Sequence, residues 1–98
     1  MASEKAVVKS IIEYLNTLES CFCHKTHGGF YESLRGKPDI TGVIKGRRFD
    51  FEVKADESCD ATPLQEAVIR KFCRAGGIAC VVRSVDEVEK ILKKEGLI

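Results

Sequence analysis

The sequence predicts a single small α/β domain with its elements in the order α-β-β-β-α-β-α. Three observations carry that prediction. An apolar stripe at helical spacing lies near the start of the chain, a hairpin signal at its centre, and two helix-capping signatures in its second half, each helix closed by glycine. A length of 98 residues suits one domain spanning 1–98, with 44% apolar and 32% charged residues typical of a globular chain.

The first helix is expected from Glu4 to Glu19, after Ser3. Val7, Ile11, Leu15 and Leu18 recur at spacings of 4, 4 and 3, and Val8 and Ile12 widen the stripe. Cys21 to Lys25 reads as a short strand. Thr26 to Lys37 holds Gly28, Gly29 and Gly36 without periodicity and reads as a loop. Asp39 to Ile44, entered through Pro38, is the next strand. Lys45-Gly46-Arg47 makes a tight turn, and Arg48 to Lys54 runs back beside it. In this second hairpin strand Phe49, Phe51 and Val53 face one way, while Arg48, Asp50, Glu52 and Lys54 face the other. After a polar loop over Ala55 to Ala61, Thr62-Pro63-Leu64-Gln65 opens a helix with an N-cap, a proline at the first position and a capping-box glutamine. That helix stops at Gly76-Gly77. Ile78 to Val82 is an apolar, β-branched strand. Ser84 and Glu87 form a second capping box for a last helix that ends at Gly96.

No apolar run approaches the ~18 residues of a membrane span, and Glu13 interrupts any signal-peptide pattern near the start. A cytoplasmic, intracellular protein is expected. Cys21, Cys23, Cys59, Cys73 and Cys80 are odd in number and fit reduced thiols. Cys21, Cys23, His24 and His27 lack the paired spacing of structural zinc, so small buried hydrophobes are the better reading, and Cys73 and Cys80 read the same way. The net charge of +1 excludes a polycation, so any nucleic-acid contact must come from a local patch.

One constellation carries chemistry. Asp39 begins one hairpin strand, and Glu52 and Lys54 lie on the polar side of its partner, 13 residues on. Carboxylates on rigid neighbouring strands beside an ammonium suit a hard divalent cation such as Mg²⁺ or Mn²⁺, with the Val53 carbonyl as a further oxygen. Lys54 stands where it would orient an attacking water. Taken alone, Glu-x-Lys in a strand is no more than a solvated sheet face; Gly36-Lys37-Pro38-Asp39 followed by Phe49-Asp50-Phe51-Glu52-Val53-Lys54 is far more specific.

At these residues the chain resembles the PD-(D/E)xK nuclease superfamily, and within it the virus-type replication-repair nuclease (VRR-NUC) family. The resemblance runs from an early glutamate in the first helix through Arg35-Gly36-Lys37-Pro38-Asp39, Glu52-Val53-Lys54 and Thr62-Pro63-Leu64-Gln65 to the Ile78–Arg83 strand. It implies a restriction-endonuclease-like domain, a mixed β-sheet flanked by helices. It implies Asp39, Glu52 and Lys54 as the catalytic set, the Val53 backbone as a metal ligand, an acidic contribution that maps best onto Glu4, and Gln65 beside the site. Stand-alone members look like dimeric, structure-selective DNA nucleases related to Holliday junction resolvases.

Each residue has a plainer rival. Glu4 also suits the dipole of the first helical turn, Glu13 competes with it, and Gln65 already has a capping role. His24, Lys25 and His27 are candidate substrate contacts in a region where such donors are common. Phe30 and Tyr31 read as a small satellite cluster in preference to a stacking surface. Lys25 to Arg48 carries a net +4, against −1 for Asp86 to Glu95, which polarises charge toward the acidic cluster. Lys25, Arg35 and Lys37 are the expected phosphate contacts, giving affinity without sequence readout. The expected activity is a metal-dependent endodeoxyribonuclease cutting branched DNA as a homodimer, its interface on the first helix or the Cys21-Phe22-Cys23 strand. The alternatives are a catalytically silent DNA-binding or assembly module of the same fold, against which the intact Asp39, Glu52 and Lys54 speak, and a nuclease acting on RNA.

Overall fold

The structure, a computed structural model, describes residues 3–26 and 34–98. His27, Phe30, Tyr31 and most of the predicted loop lie outside them.

Helix α1 (Glu4–Leu15) starts where Ser3 caps it, the side-chain oxygen accepting from the Ala6 N–H at 3.1 Å. It ends at Leu15, four residues short of the predicted Glu19. The cause is Asn16, whose side chain turns to strand β1 (Cys21–Lys25), accepting from the Cys23 N–H at 3.1 Å and donating to the Cys23 carbonyl at 3.4 Å. Beyond it the helical ladder gives way to tighter turns, Thr17 N–H to the Tyr14 carbonyl and Leu18 N–H to the Leu15 carbonyl, both at 3.1 Å. Leu18 still packs on the core, so the apolar stripe was right about burial and wrong about the helix.

Strands β2 (Ile40–Ile44) and β3 (Arg47–Val53) form the predicted hairpin, each end within a residue of expectation. Ile44 pairs with Arg47, so the loop is the two residues Lys45-Gly46, both at positive φ (50° and 81°). This is the mirror-image turn whose twist suits a hairpin, and Arg47 belongs to the strand. Strand β4 (Ile78–Val82) follows helix α2 (Pro63–Arg74) and lies parallel to β3. The sheet is mixed, in the order β1-β2-β3-β4, with the first two pairings antiparallel.

Helices α1 and α3 (Val85–Lys94) bury the face carrying Phe49, Phe51 and Val53, against Ile11, Leu15, Val88 and Leu92. Phe49 and Phe51 stack at 5.1 Å between centroids. Helix α2 covers the opposite face of β3 and β4, its Phe72 lying beneath Arg48 and its Gln65 reaching Glu52. Asp50 and Glu52 are therefore only 1% and 2% exposed. The polar side of β3 is an interior, which the alternation of residue types alone does not reveal.

Thr62 and Gln65 complete a reciprocal capping box at the start of α2. The box expected at Ser84 is half formed. Ser84 accepts from the Glu87 N–H, but the Glu87 carboxylate reaches one residue further back, to the Arg83 N–H at 2.6 Å. Arg83 in turn donates to the carbonyls of Asp56 and Cys59, tying the loop after β3 to the end of β4. All five cysteines are free, yet only Cys23 is buried. Cys80 is half-buried, and Cys73 is exposed, correcting its reading as a buried residue, although its Sγ donates to the Ala79 carbonyl of β4 at 3.3 Å. Among the described residues no helix is long and apolar enough to cross a membrane.

Candidate active site

The register that pairs Ile40 with Phe51 sets Asp39 opposite Glu52 one step beyond. Asp39 is fixed by its backbone and its side chain together. Its carbonyl accepts from the Thr26 N–H at 2.8 Å, and its Oδ2 accepts from the Val53 N–H, also at 2.8 Å. Glu4, in the first turn of α1, brings its carboxylate to the same point. One ligand oxygen each from Glu4, Asp39 and Glu52 lie within 4.8 Å of one another, the single such group of three His, Cys, Asp or Glu residues among those described. Glu13 is exposed elsewhere on α1 and has no part in it.

Lys54 Nζ stands 3.5 Å from Glu52 Oε1, and Gln65 Nε2 donates to that same oxygen at 3.0 Å. The Gln65 side-chain carbonyl simultaneously accepts from the Thr62 N–H at 2.9 Å. One amide thus closes the capping box and holds the buried carboxylate. Loss of the Thr62 hydroxyl is accordingly expected to do two things. Thr62→Ala should cost about 1 kcal/mol of stability and also loosen the Gln65 hold on Glu52, whereas Thr62→Ser should keep both; melting curves of the two variants check this.

Glu52 Oε2 is buried with no hydrogen-bond partner. Burial first, and the neighbouring Asp39 carboxylate second, push the Glu52 carboxyl up to about 8, with Lys54 pulling the other way. An orphaned buried oxygen in a cluster of three carboxylates is a donor set short of a cation. All-oxygen donors suit Mg²⁺ or Mn²⁺, so these residues fit the divalent ion that the family resemblance implies. Zinc at Cys21, Cys23 and His24 finds no such support. Burial raises the Cys21 thiol and takes Cys23 up to about 11, away from the thiolate a metal needs.

The basic patch is smaller than its formal charge. Arg47 pairs with Glu95 of α3 at 2.8 Å, and Arg48 holds Asp50 through two bonds at 2.9 and 3.2 Å. Lys25 is exposed at the end of β1 and Arg35 is exposed before Pro38. Lys37 lines an open cavity of about 260 Å³ with His24, Thr41, Arg48, Asp50 and Phe72. Sequence reasoning missed the Arg48–Asp50 pair. Its available signal was that Asp50 shares the alternation of Glu52.

Fold and site together define a small α/β nuclease-fold domain, with three carboxylates gathered where two strands and a helix start meet. Within that class the VRR-NUC recognition is borne out. A solved structure described as a "VRR_NUC domain" matches 95% of this chain and 97% of its own length, with a TM-score of 0.77 and 28% identity. A second, a "VRR_NUC domain protein", matches 94% of this chain and 86% of its own at a TM-score of 0.77 and 20% identity. No family model matches the sequence, and no curated protein does.

Proposed function

We propose that the protein is a metal-dependent, structure-selective endodeoxyribonuclease that hydrolyses phosphodiester bonds in branched DNA, in the manner of a Holliday junction resolvase. The observation that carries this reading is Glu52, buried with an unpartnered Oε2 beside Asp39 and Glu4 and within reach of an ammonium. Asp39, Glu52, Glu4 and the Val53 carbonyl are the donors that would hold Mg²⁺ or Mn²⁺. A divalent ion there would supply Lewis-acid stabilisation of the charge growing on the scissile phosphate and acidity for the attacking water.

The chain's own groups do the rest. Gln65 fixes one oxygen of Glu52, and the other is buried without a hydrogen-bond partner. The Val53 N–H holds Asp39 in register with it. Lys54, only 12% exposed at its side chain, donates hydrogen bonds that orient the nucleophile and offset the negative charge of the pentacoordinate transition state. Lys25, Arg35 and Lys37 are the groups to draw in phosphates without reading bases. One site per chain cuts one strand, so paired incision of a junction calls for a homodimer.

A panel of labelled duplex, flap, splayed-arm and four-way-junction DNA, incubated with Mg²⁺ or Mn²⁺, tests the reading. Cleavage of branched DNA above duplex is expected, with matching RNA resistant. Excess chelator should abolish turnover and leave the far-UV spectrum intact, because the core is built without the ion. Turnover in chelator would sink the metal role. Binding without cleavage under every divalent ion would favour the silent module.

A further inference from the structure

Of the three carboxylates that meet at the site, Asp39 has the least regular backbone behind it. Glu4 belongs to the first turn of α1 and Glu52 to the body of β3, whereas Asp39 comes one residue before β2 begins. Charged carboxylates within 4.8 Å of one another repel, so Asp39 stays against its neighbours only because other bonds hold it there. Those bonds come mainly from one residue. Thr26 follows β1 directly and continues the register that pairs Lys25 with Ile40, so it stands opposite Asp39 on the side away from Glu52. Its N–H donates to the Asp39 carbonyl at 2.8 Å, and its Oγ1 hydroxyl donates to the Pro38 carbonyl at 2.6 Å. Two successive carbonyls are thus held by the two donors of a single side of the chain. The third bond, from the Val53 N–H to Asp39 Oδ2 at 2.8 Å, grips the side chain from the opposite strand.

The residues before Asp39 are confined as well. Pro38 is buried, and its ring fixes φ. Gly36, at a φ of 75°, lies against the first turn of α2, where a Cβ would come 2.8 Å from Leu64 Cγ and 3.1 Å from the Leu64 carbonyl carbon and oxygen. Leu64 directly precedes Gln65, which holds Glu52. The strap from Gly36 to Asp39 is therefore fastened to α2 at one end and to Thr26 at the other. A β-branched residue is at home at a strand end, and valine would serve that purpose equally. Only a hydroxyl can donate to the Pro38 carbonyl.

We propose that Thr26 is a positioning residue of the site: its hydroxyl, acting through the Pro38 carbonyl, holds the Asp39 carboxylate where a divalent cation needs it. Loss of the hydroxyl then weakens metal binding by the folded protein, beyond any effect on the fold itself. The inference rests on the metal-dependent reading above. A group that orients a metal ligand in this way is typically worth about 10- to 100-fold in affinity.

The test uses Mn²⁺ alone, without DNA, so that nothing depends on turnover. Isothermal titration at 25 °C and pH 8 reads the affinity of the folded protein, and melting in excess chelator reads the stability of the metal-free fold. Thr26→Val keeps the shape and the N–H bond to Asp39 and removes only the hydroxyl. Thr26→Ala does the same without setting a methyl group against the Pro38 carbonyl. Both should bind Mn²⁺ about tenfold more weakly than wild type, and Thr26→Ser should restore the affinity. Thr17 supplies a matched control at the far end of α1 from Glu4, its hydroxyl donating to the Tyr14 carbonyl at 2.6 Å. Thr17→Val should leave Mn²⁺ affinity unchanged. Wild-type affinity in Thr26→Val and Thr26→Ala would overturn the positioning role, as would a loss in Thr26→Ser as large as in Thr26→Val. An equal loss in Thr17→Val would also overturn it, by making the effect one of general softening. A wild type that binds no Mn²⁺ at all would remove the metal reading and the role of Thr26 with it, a result distinct from any difference among the variants.

Discussion

Glu52→Gln is expected to make the metal-free protein more stable at pH 8 while removing at least 10²- to 10³-fold of its cleavage rate. The carboxyl moves from an ordinary value of 4.5 to about 8 because it is buried and faces Asp39. Between those values the folded chain holds a proton that the unfolded chain has released. Stability of the metal-free protein therefore falls as pH rises from about 4.5 to about 8 and levels off beyond, the reverse of the usual carboxylate behaviour. The amplitude is on the order of a few kcal/mol, reduced by whatever Lys54 and water screening recover.

Glutamine keeps the shape of the side chain and its Oε1 acceptor for Gln65 but cannot ionise, so its melting temperature should stay flat over the same range. Thermal melts in chelator at pH 5.5 and 8 check this, the two proteins converging at the lower pH. Addition of Mg²⁺ or Mn²⁺ at pH 8 should raise the melting point of wild type and not of the variant, since a ligand stabilises only the form that binds it. A wild-type melting point that climbs between the two pH values in chelator would show that Glu52 is already ionised and accommodated. The stability sacrificed at this position is what would keep the carboxylate available for a cation under the proposed function.

Much of this site could be read from residue order because its parts are local. Asp39 and Glu52 lie at matching positions of one tight hairpin, and Lys54 follows Glu52 by the strand period. Thr62-Pro63-Leu64-Gln65 announced both a helix start and, through one glutamine, a neighbour of the site. The remainder depends on which helix lies over which face. Glu4 was separable from a dipole-favouring acid, and from Glu13, only once α1 was laid across the sheet end. Asp50 and Glu52 read as a polar edge until α2 covered them. Asn16 stopped α1 through bonds to a strand that begins five residues later, a tertiary competitor invisible to helical periodicity. The apolar spacing around Cys73 was equally silent about its exposure, which it keeps although its thiol reaches the Ala79 carbonyl of β4.

Gly42→Ala should produce the largest loss of stability from the smallest chemical change. Gly42 sits between Cys23 and Phe49 in the register. A methyl group there would lie 2.5 Å from the Phe22 carbonyl oxygen, 2.6 Å from Cys23 Cβ and 2.6 Å from Phe49 Cζ. One neighbour is the backbone of the adjacent strand, and another is an aromatic ring with no exposure, stacked on Phe51. Neither can yield without spreading β2 from its partners or expelling Phe49, so the cost belongs at or above the upper end of the ~1–3 kcal/mol typical of overpacking. At about 4–8 °C per kcal/mol for a domain of this size, the melting point should drop by roughly 10–20 °C. By contrast, an alanine Cβ at Gly46 meets nothing within 4 Å. Gly46→Ala carries only the strain of a positive φ there, about 1 kcal/mol. The same spreading acts on function, because β2 and β3 each deliver one carboxylate of the site. Gly42→Ala should therefore cleave more slowly even at 25 °C, where most molecules remain folded, whereas Gly46→Ala should retain wild-type rates. Phe49→Leu combined with Gly42→Ala should be less destabilising than the sum of the single changes, since the smaller side chain vacates the space the methyl needs. A Gly42→Ala melting point within 2 °C of wild type would mean that the strands are not held at this spacing, and with it would go the argument that the hairpin fixes Asp39 against Glu52.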